Sequence, residues 1–176
     1  GQGTDLFDVK EFDADFAYTV DGGGLGELEY ENFNAASSTV AITGVGIHPG
    51  SAKNKMVNAA TLAMEFHAML PVNEVPEATA GYEGFYHLTD MRGTVSHAQL
   101  SYIIRDHDKA KFAAKKGMLE RAAAYLNEKY GKGTVLVTTK DSYFNMREKV
   151  LPHMHLIETA KKAMQQNGVT PHVHPI

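Results

Sequence analysis

The chain has 176 residues, 43% of them hydrophobic, a formal net charge of −4 and no cysteine. That apolar content suffices for the buried core of one domain, or one domain plus a piece of another. The missing cysteines exclude disulfides, zinc ribbons and thiol chemistry, and the mixed charge offers no basic block for nucleic acid or a membrane surface. No apolar run approaches the roughly 20 residues of a membrane helix, and no charged start precedes an apolar stretch, so the expected location is cytoplasmic. Nine histidines and many carboxylates leave His/Asp/Glu metal chemistry open.

Residues 1–20 are acidic, with Asp5, Asp8, Glu11, Asp13 and Asp15 set among Leu6, Phe7, Val9, Phe12 and Phe16. A short helix around Val9–Phe12 is expected, then a strand at Phe16–Val20 that stops at Asp21-Gly22-Gly23-Gly24. A carboxylate before three glycines suits close approach of backbone to a ligand, and equally suits an Asp opening a flexible turn. In residues 25–36 the acids Glu27, Glu29 and Glu31 alternate with Leu28 and Tyr30, which places them on one face, most simply solvent.

The stretch Ser38–Leu70 organises the rest. Thr39, Ala41 and Thr43 alternate with Val40 and Ile42, as in a half-buried strand. His48-Pro49-Gly50 ends that strand, because Pro lacks an N–H and Gly relaxes the backbone. Ser51 is the expected N-cap of a helix whose inner face is Met56, Ala59, Ala60, Ala63, Met64, Phe66 and Leu70. A polar loop with two prolines fills residues 71–80.

A second half-unit follows. Gly81–Thr94 and Gln99–Asp106 read as an antiparallel hairpin. Asp108 caps a helix to about Tyr130, with Phe112, Met118, Leu119, Ala122, Ala123, Tyr125 and Leu126 inward and Lys115, Lys116, Glu120 and Arg121 wet. Gly131-Lys132-Gly133 ends it, and Thr134–Lys140 is a further β-branched strand. The order strand, helix, strand, strand, helix, strand predicts an α+β two-layer sandwich: a ferredoxin-like βαββαβ unit, with a four-stranded antiparallel sheet and both helices on one face. Val150–Gly168 reads as one more helix and the final PHVHPI as a strand. The expected organisation is therefore a sandwich at 33–141 inserted between pieces of an α/β catalytic domain at 1–32 and 142–176.

The segments FDADFAYTVDGGGLGELEYENFNAAS, HPGSAKNKMVNA, GYEGFYHLTDMRGTV, YIIRDHD and YFNMREKV together closely resemble the tripeptide aminopeptidases of the dizinc M20 metallopeptidase family. The resemblance runs the length of the chain and implies a fragment holding the lid and dimerisation domain. It implies two zinc ions in the intact enzyme, a tripeptide substrate and a homodimer. Of the five ligands this family uses, only Asp21, in TVDGG, is present. One carboxylate cannot hold a zinc pair, so this fragment is expected to bind no zinc and to be inactive alone. The same resemblance assigns His48 as the lid histidine that reaches the partner subunit's active site and stabilises an oxyanion. It makes Arg105 the lid arginine that receives the substrate's C-terminal carboxylate, an ion pair with Asp106 or Asp108 being the structural alternative. It makes Asn145 and Arg147 candidate substrate-binding residues, with hinge roles as the alternative. A stand-alone ligand-binding or oligomerisation module of the same fold is the competing reading. An RNA-binding domain is disfavoured by the charge and by the Thr/Ser-rich strands. The remaining histidines, including the pairs His153/His155 and His172/His174, show no ligand set.

Overall fold

The computed structural model describes residues 6–176; Asp5 and the rest of the first five residues of the expected 1–32 piece lie outside the described residues. In chain order the elements are α1 (Val9–Phe12), β1 (Glu27–Leu28), β2 (Asn34–Thr43), α2 (Ala59–Ala68), β3 (Phe85–Gly93), β4 (His97–Asp106) and α3 (Lys109–Tyr130). They continue with β5 (Val135–Tyr143), α4 (Arg147–Val150), α5 (His155–Gln166) and β6 (His172–Val173). The main sheet has the order β3-β4-β2-β5 with antiparallel neighbours throughout. The mixed α+β sandwich is thus present as the alternation predicts.

Strand period two sorts its side chains. Ala36, Val40 and Ile42 of β2 and Ala98, Leu100, Tyr102 and Ile104 of β4 point at the helices and are buried. Leu62, Ala63 and Phe66 of α2, with Phe112, Leu119, Ala122 and Leu126 of α3, close over them. The opposite face of the sheet is left open. A bulge between Leu88 and Asp90 interrupts β3, and a second irregularity lies between Ala35 and Ala36 where β2 meets β5.

Several expectations are corrected. Phe16–Val20 forms no strand, and Phe16, Tyr18 and Val20 are exposed, with no neighbouring strand among the described residues to pair them. Helix α2 begins eight residues after Ser51, because Asn58 is its N-cap and accepts from the backbone N–H of Ala60 at 3.0 Å. Ser51 instead ends the 3-10 turn Pro49–Ser51, and Met64 faces solvent. The single helix expected at 150–168 is broken into α4, a 3-10 turn at Leu151–His153 and α5, with Pro152 at the break. Glu31 is buried rather than solvated, since it pairs with Arg147. Lys115 is buried rather than wet, since it pairs with Glu74 and Asp106. The flanking segments meet in a separate two-stranded parallel sheet of β1 and β6.

Candidate functional site

Two side chains singled out from the sequence sit at opposite ends of the main sheet. Arg105, near the end of β4, alternates with buried Ile104 and Asp106 and therefore projects onto the open face. Its guanidinium carbon lies 5.8 Å from the centroid of the Phe33 ring. Phe33 in turn packs against Phe85 and His107 at 5.5 and 4.0 Å between centroids, so the arginine stands on an aromatic platform. Both neighbouring carboxylates are committed elsewhere. Asp108 caps α3 by accepting from the Lys111 N–H at 2.8 Å, and Asp106 points to the helix side, 3.7 Å from the Lys115 ammonium. Among the described residues Arg105 makes no ion pair, and its buried Nε has no hydrogen-bond partner.

His48 lies beyond the other end of the sheet, in the connection from β2 to α2. Val45 and Val57 pinch that connection closed through reciprocal backbone hydrogen bonds of 2.8 and 3.1 Å. Gly44 fits beneath it because a Cβ there would lie 2.2 Å from the Val95 carbonyl and 2.4 Å from that of Val57. The Gly44 N–H donates to Ser96, in the β3–β4 turn, at 2.7 Å. On this fixed base His48 is exposed, and its Nδ1 accepts from the Gly50 N–H at 3.2 Å. A neutral imidazole that accepts at Nδ1 carries its proton on Nε2, so the outward nitrogen is a donor.

Asn145 and Arg147 occupy the junction where the chain enters β2 and leaves β5. The Asn145 carboxamide oxygen accepts from the N–H groups of Asn32 and Arg147 at 3.2 and 2.9 Å, while its amide donates to the His107 carbonyl. Asn34 answers by accepting from the Asn145 N–H at 3.0 Å and donating to the Asp106 and His107 carbonyls. Arg147 Nε is 2.7 Å from the buried Glu31 carboxylate. This network ties both chain crossings to the turn just after Arg105. Sequence reasoning missed Asn32, Asn34 and Glu31; the recurrence of Asn at 32, 34 and 145 beside both crossings is the signal that points to them.

Asp21 is exposed and accepts from the Gly22 N–H at 2.8 Å, a local turn. It stands in no group of three possible metal ligands among the described residues. A catalytic zinc ordinarily takes three protein ligands, so these residues do not fit a zinc pair. One such group does form: His174 meets Glu27 and Glu29, each at 3.7 Å, because β1 and β6 run parallel in matching register. His174 therefore has carboxylate neighbours that its spacing from His172 does not reveal.

Residues 30–134 match the family described as the peptidase dimerisation domain of the M20 group. The chain belongs to this family. Both His48 and Arg105 fall within the residues that define the dimerisation domain, whereas Asp21, Asn145 and Arg147 fall outside them. Curated relatives named Peptidase T, from Alkaliphilus oremlandii and Clostridium perfringens, are 57% and 58% identical over all 176 residues. The chain spans 43% of the length of each. Among solved structures, aminopeptidase PepT from Bacillus cereus is similar with a TM-score of 0.77 at 22% identity. A tripeptidase from Staphylococcus aureus is similar with a TM-score of 0.82 at 15% identity. Each comparison covers 99% of this chain and 46% of the solved one, and the two show the fold of the dimerisation domain with its flanks.

Proposed function

We propose that this chain is the lid and dimerisation portion of a zinc-dependent tripeptide aminopeptidase, with 33–141 as the lid and 1–32 and 142–176 as pieces of the catalytic part. The relatives' name, Peptidase T, and the tripeptidase title of one fold neighbour support this reading. In the complete chain the two zinc ions are held chiefly by residues beyond this stretch, with Asp21 adding one carboxylate. The complete protein is proposed to act as a cytoplasmic homodimer.

The observation that carries the reading is the guanidinium of Arg105, which lacks a carboxylate although two stand next to it in sequence. An arginine fork held over an aromatic platform is suited to receive a peptide's terminal carboxylate. His48 is proposed to donate a hydrogen bond from its Nε2–H to the oxyanion in a neighbouring copy. Support for action between copies comes from β2. Ala35 lies opposite Arg105 and Thr43 opposite His97, which separates the two ends by about 27 Å at roughly 3.4 Å per residue. An extended tripeptide spans only about 10 Å. Asn145 and Arg147 are proposed to serve the substrate by fixing the turn that follows Arg105.

The test uses the protein at the full length of its relatives. It is expected to release the N-terminal residue of a tripeptide and to act on the corresponding tripeptide amide about 10- to 100-fold less efficiently, the worth of a charge-assisted pair. Arg105→Ala is expected to erase that preference by lowering kcat/KM for the free acid alone. A preference that survives the substitution overturns the assignment.

A further inference from the structure

Asp21 is followed by Gly22 and Asn167 by Gly168, whereas every other Asp and Asn of the chain precedes a residue with a Cβ. These two steps are where a side-chain carbonyl carbon lies most open to attack by the next backbone nitrogen. Bond chemistry alone ranks Asn167 first, because ammonia leaves a carboxamide more readily than water leaves a carboxyl group. The structure reverses that order.

At Asp21 the reacting groups already meet. Oδ1 accepts from the Gly22 N–H at 2.8 Å, and the carboxyl carbon is one bond beyond that oxygen. A near-attack arrangement places reacting atoms roughly 3–3.5 Å apart, so the Gly22 nitrogen stands within reach of that carbon. Both residues are exposed, and a Cβ built on Gly22 would meet nothing within 4 Å, so the peptide turns toward the carboxyl without a clash. Among the described residues no backbone hydrogen bond holds Asp21 or Gly22 in another geometry. At Asn167, by contrast, both groups are tied to the last turn of α5. The carboxamide donates to the Ala163 carbonyl at 2.8 Å, and the Gly168 N–H donates to the Gln165 carbonyl at 3.0 Å. Each of these bonds has to break before the nitrogen reaches the side chain.

We propose that Asp21 is a self-modification site, which cyclises with Gly22 and converts to isoaspartate ahead of any reaction at Asn167. In the first step the Gly22 nitrogen bonds to Asp21 Cγ. The carboxyl's hydroxyl and the Gly22 amide hydrogen leave together as water, closing a succinimide ring. Water then opens the ring. Addition at Cγ breaks the new bond and restores aspartate. Addition at the main-chain carbonyl carbon breaks its bond to the Gly22 nitrogen, so the chain now runs through Cγ and the carboxylate sits directly on Cα. One water is lost and one regained, and nothing is oxidised or reduced. The inference stands on the geometry of this turn and does not depend on the lid reading.

The test incubates this chain near physiological temperature and pH, both folded and in concentrated urea, and maps its peptides over time. Electron-transfer fragmentation separates isoaspartate from aspartate at residue 21, and reaction at residue 167 is read from the mass change on exchanging ammonia for water. In the folded chain residue 21 is expected to react first, and in urea Asn167. Asp21→Asn gives both positions the same Asn-Gly chemistry, so their rates compare the two turns alone. Position 21 is then expected to react about tenfold or more faster in the folded chain, since two hydrogen bonds must break at 167. Gly22→Ala is expected to slow residue 21 roughly threefold or more. Absence of isoaspartate at residue 21 in the folded chain overturns the proposal. So does an order of reaction that unfolding leaves unchanged, or equal rates at 21 and 167 in folded Asp21→Asn.

Discussion

Glu65 is the residue through which the two main helices hold each other. It projects from α2 and accepts from the Lys129 ammonium and the Tyr130 hydroxyl at the end of α3, each at 2.7 Å. These hydrogen bonds, Lys129 first, hold its carboxyl below the ordinary value of 4.5. A depressed carboxylate stabilises the fold fully above its unfolded pKa, and that contribution disappears as pH falls through the folded one. Glu65→Gln is therefore expected to lower Tm relative to wild type at pH 7, with the gap closing as the pH drops below about 4.5. Melts of both proteins between pH 3 and 7 check this, and a gap independent of pH defeats it. Glu65 also shows why single residues are the hardest scale to read in advance. Its partners are 64 and 65 positions away. Separations of 41 and 116 positions likewise hide Glu74 from Lys115 and Arg147 from Glu31, so helical and strand periodicity alone assigned both Lys115 and Glu31 to solvent.

At the scale of elements, periodicity read well wherever a partner face exists within the chain. The alternation of β2 and β4 and the apolar stripe of α3 survive, because each packs against the others in one core, except that Tyr125, expected inward, is exposed. Asp108 and Gly131 end α3 as their chemistry requires, the glycine at a φ of +116°. Failures fall where an element's partner is absent or where two chemically equivalent residues compete. Phe16–Val20 has strand-like composition and, among the described residues, no strand beside it. Ser51 and Asn58 can each cap a helix. Asn58 wins because the β3–β4 turn offers carbonyls to the first turn that follows it: Ala59 donates to Val95 at 2.9 Å and Ala60 to Thr94 at 3.1 Å. Asn58→Ala is accordingly expected to cost about 1 kcal/mol, and Ser51→Ala close to nothing. Urea denaturation of the two variants measures the contrast, and equal losses would return the helix start to Ser51.

The whole molecule raises a question of copies rather than residues. His48 and Arg105 are separated by the length of the sheet, so a site that needs both takes one from each of two chains. On the proposed reading, each site of a two-fold dimer would combine the Arg105 of one protomer with the His48 of its partner. Two impaired variants of the full-length protein distinguish this from action within one chain. His48→Ala is exposed and loses only the 3.2 Å contact with Gly50, so it is expected to fold normally and to lower kcat about 10²- to 10³-fold. Arg105→Ala removes the guanidinium proposed to receive the substrate carboxylate. Mixed in equal amounts under exchange, half of the dimers are heterodimers, and in each of these one site has both groups and the other has neither. Recovery of about a quarter of wild-type activity is therefore expected on mixing, against at most about a tenth from either variant alone. If both side chains served the same site from one protomer, every site in the mixture would lack one of them and no activity would return.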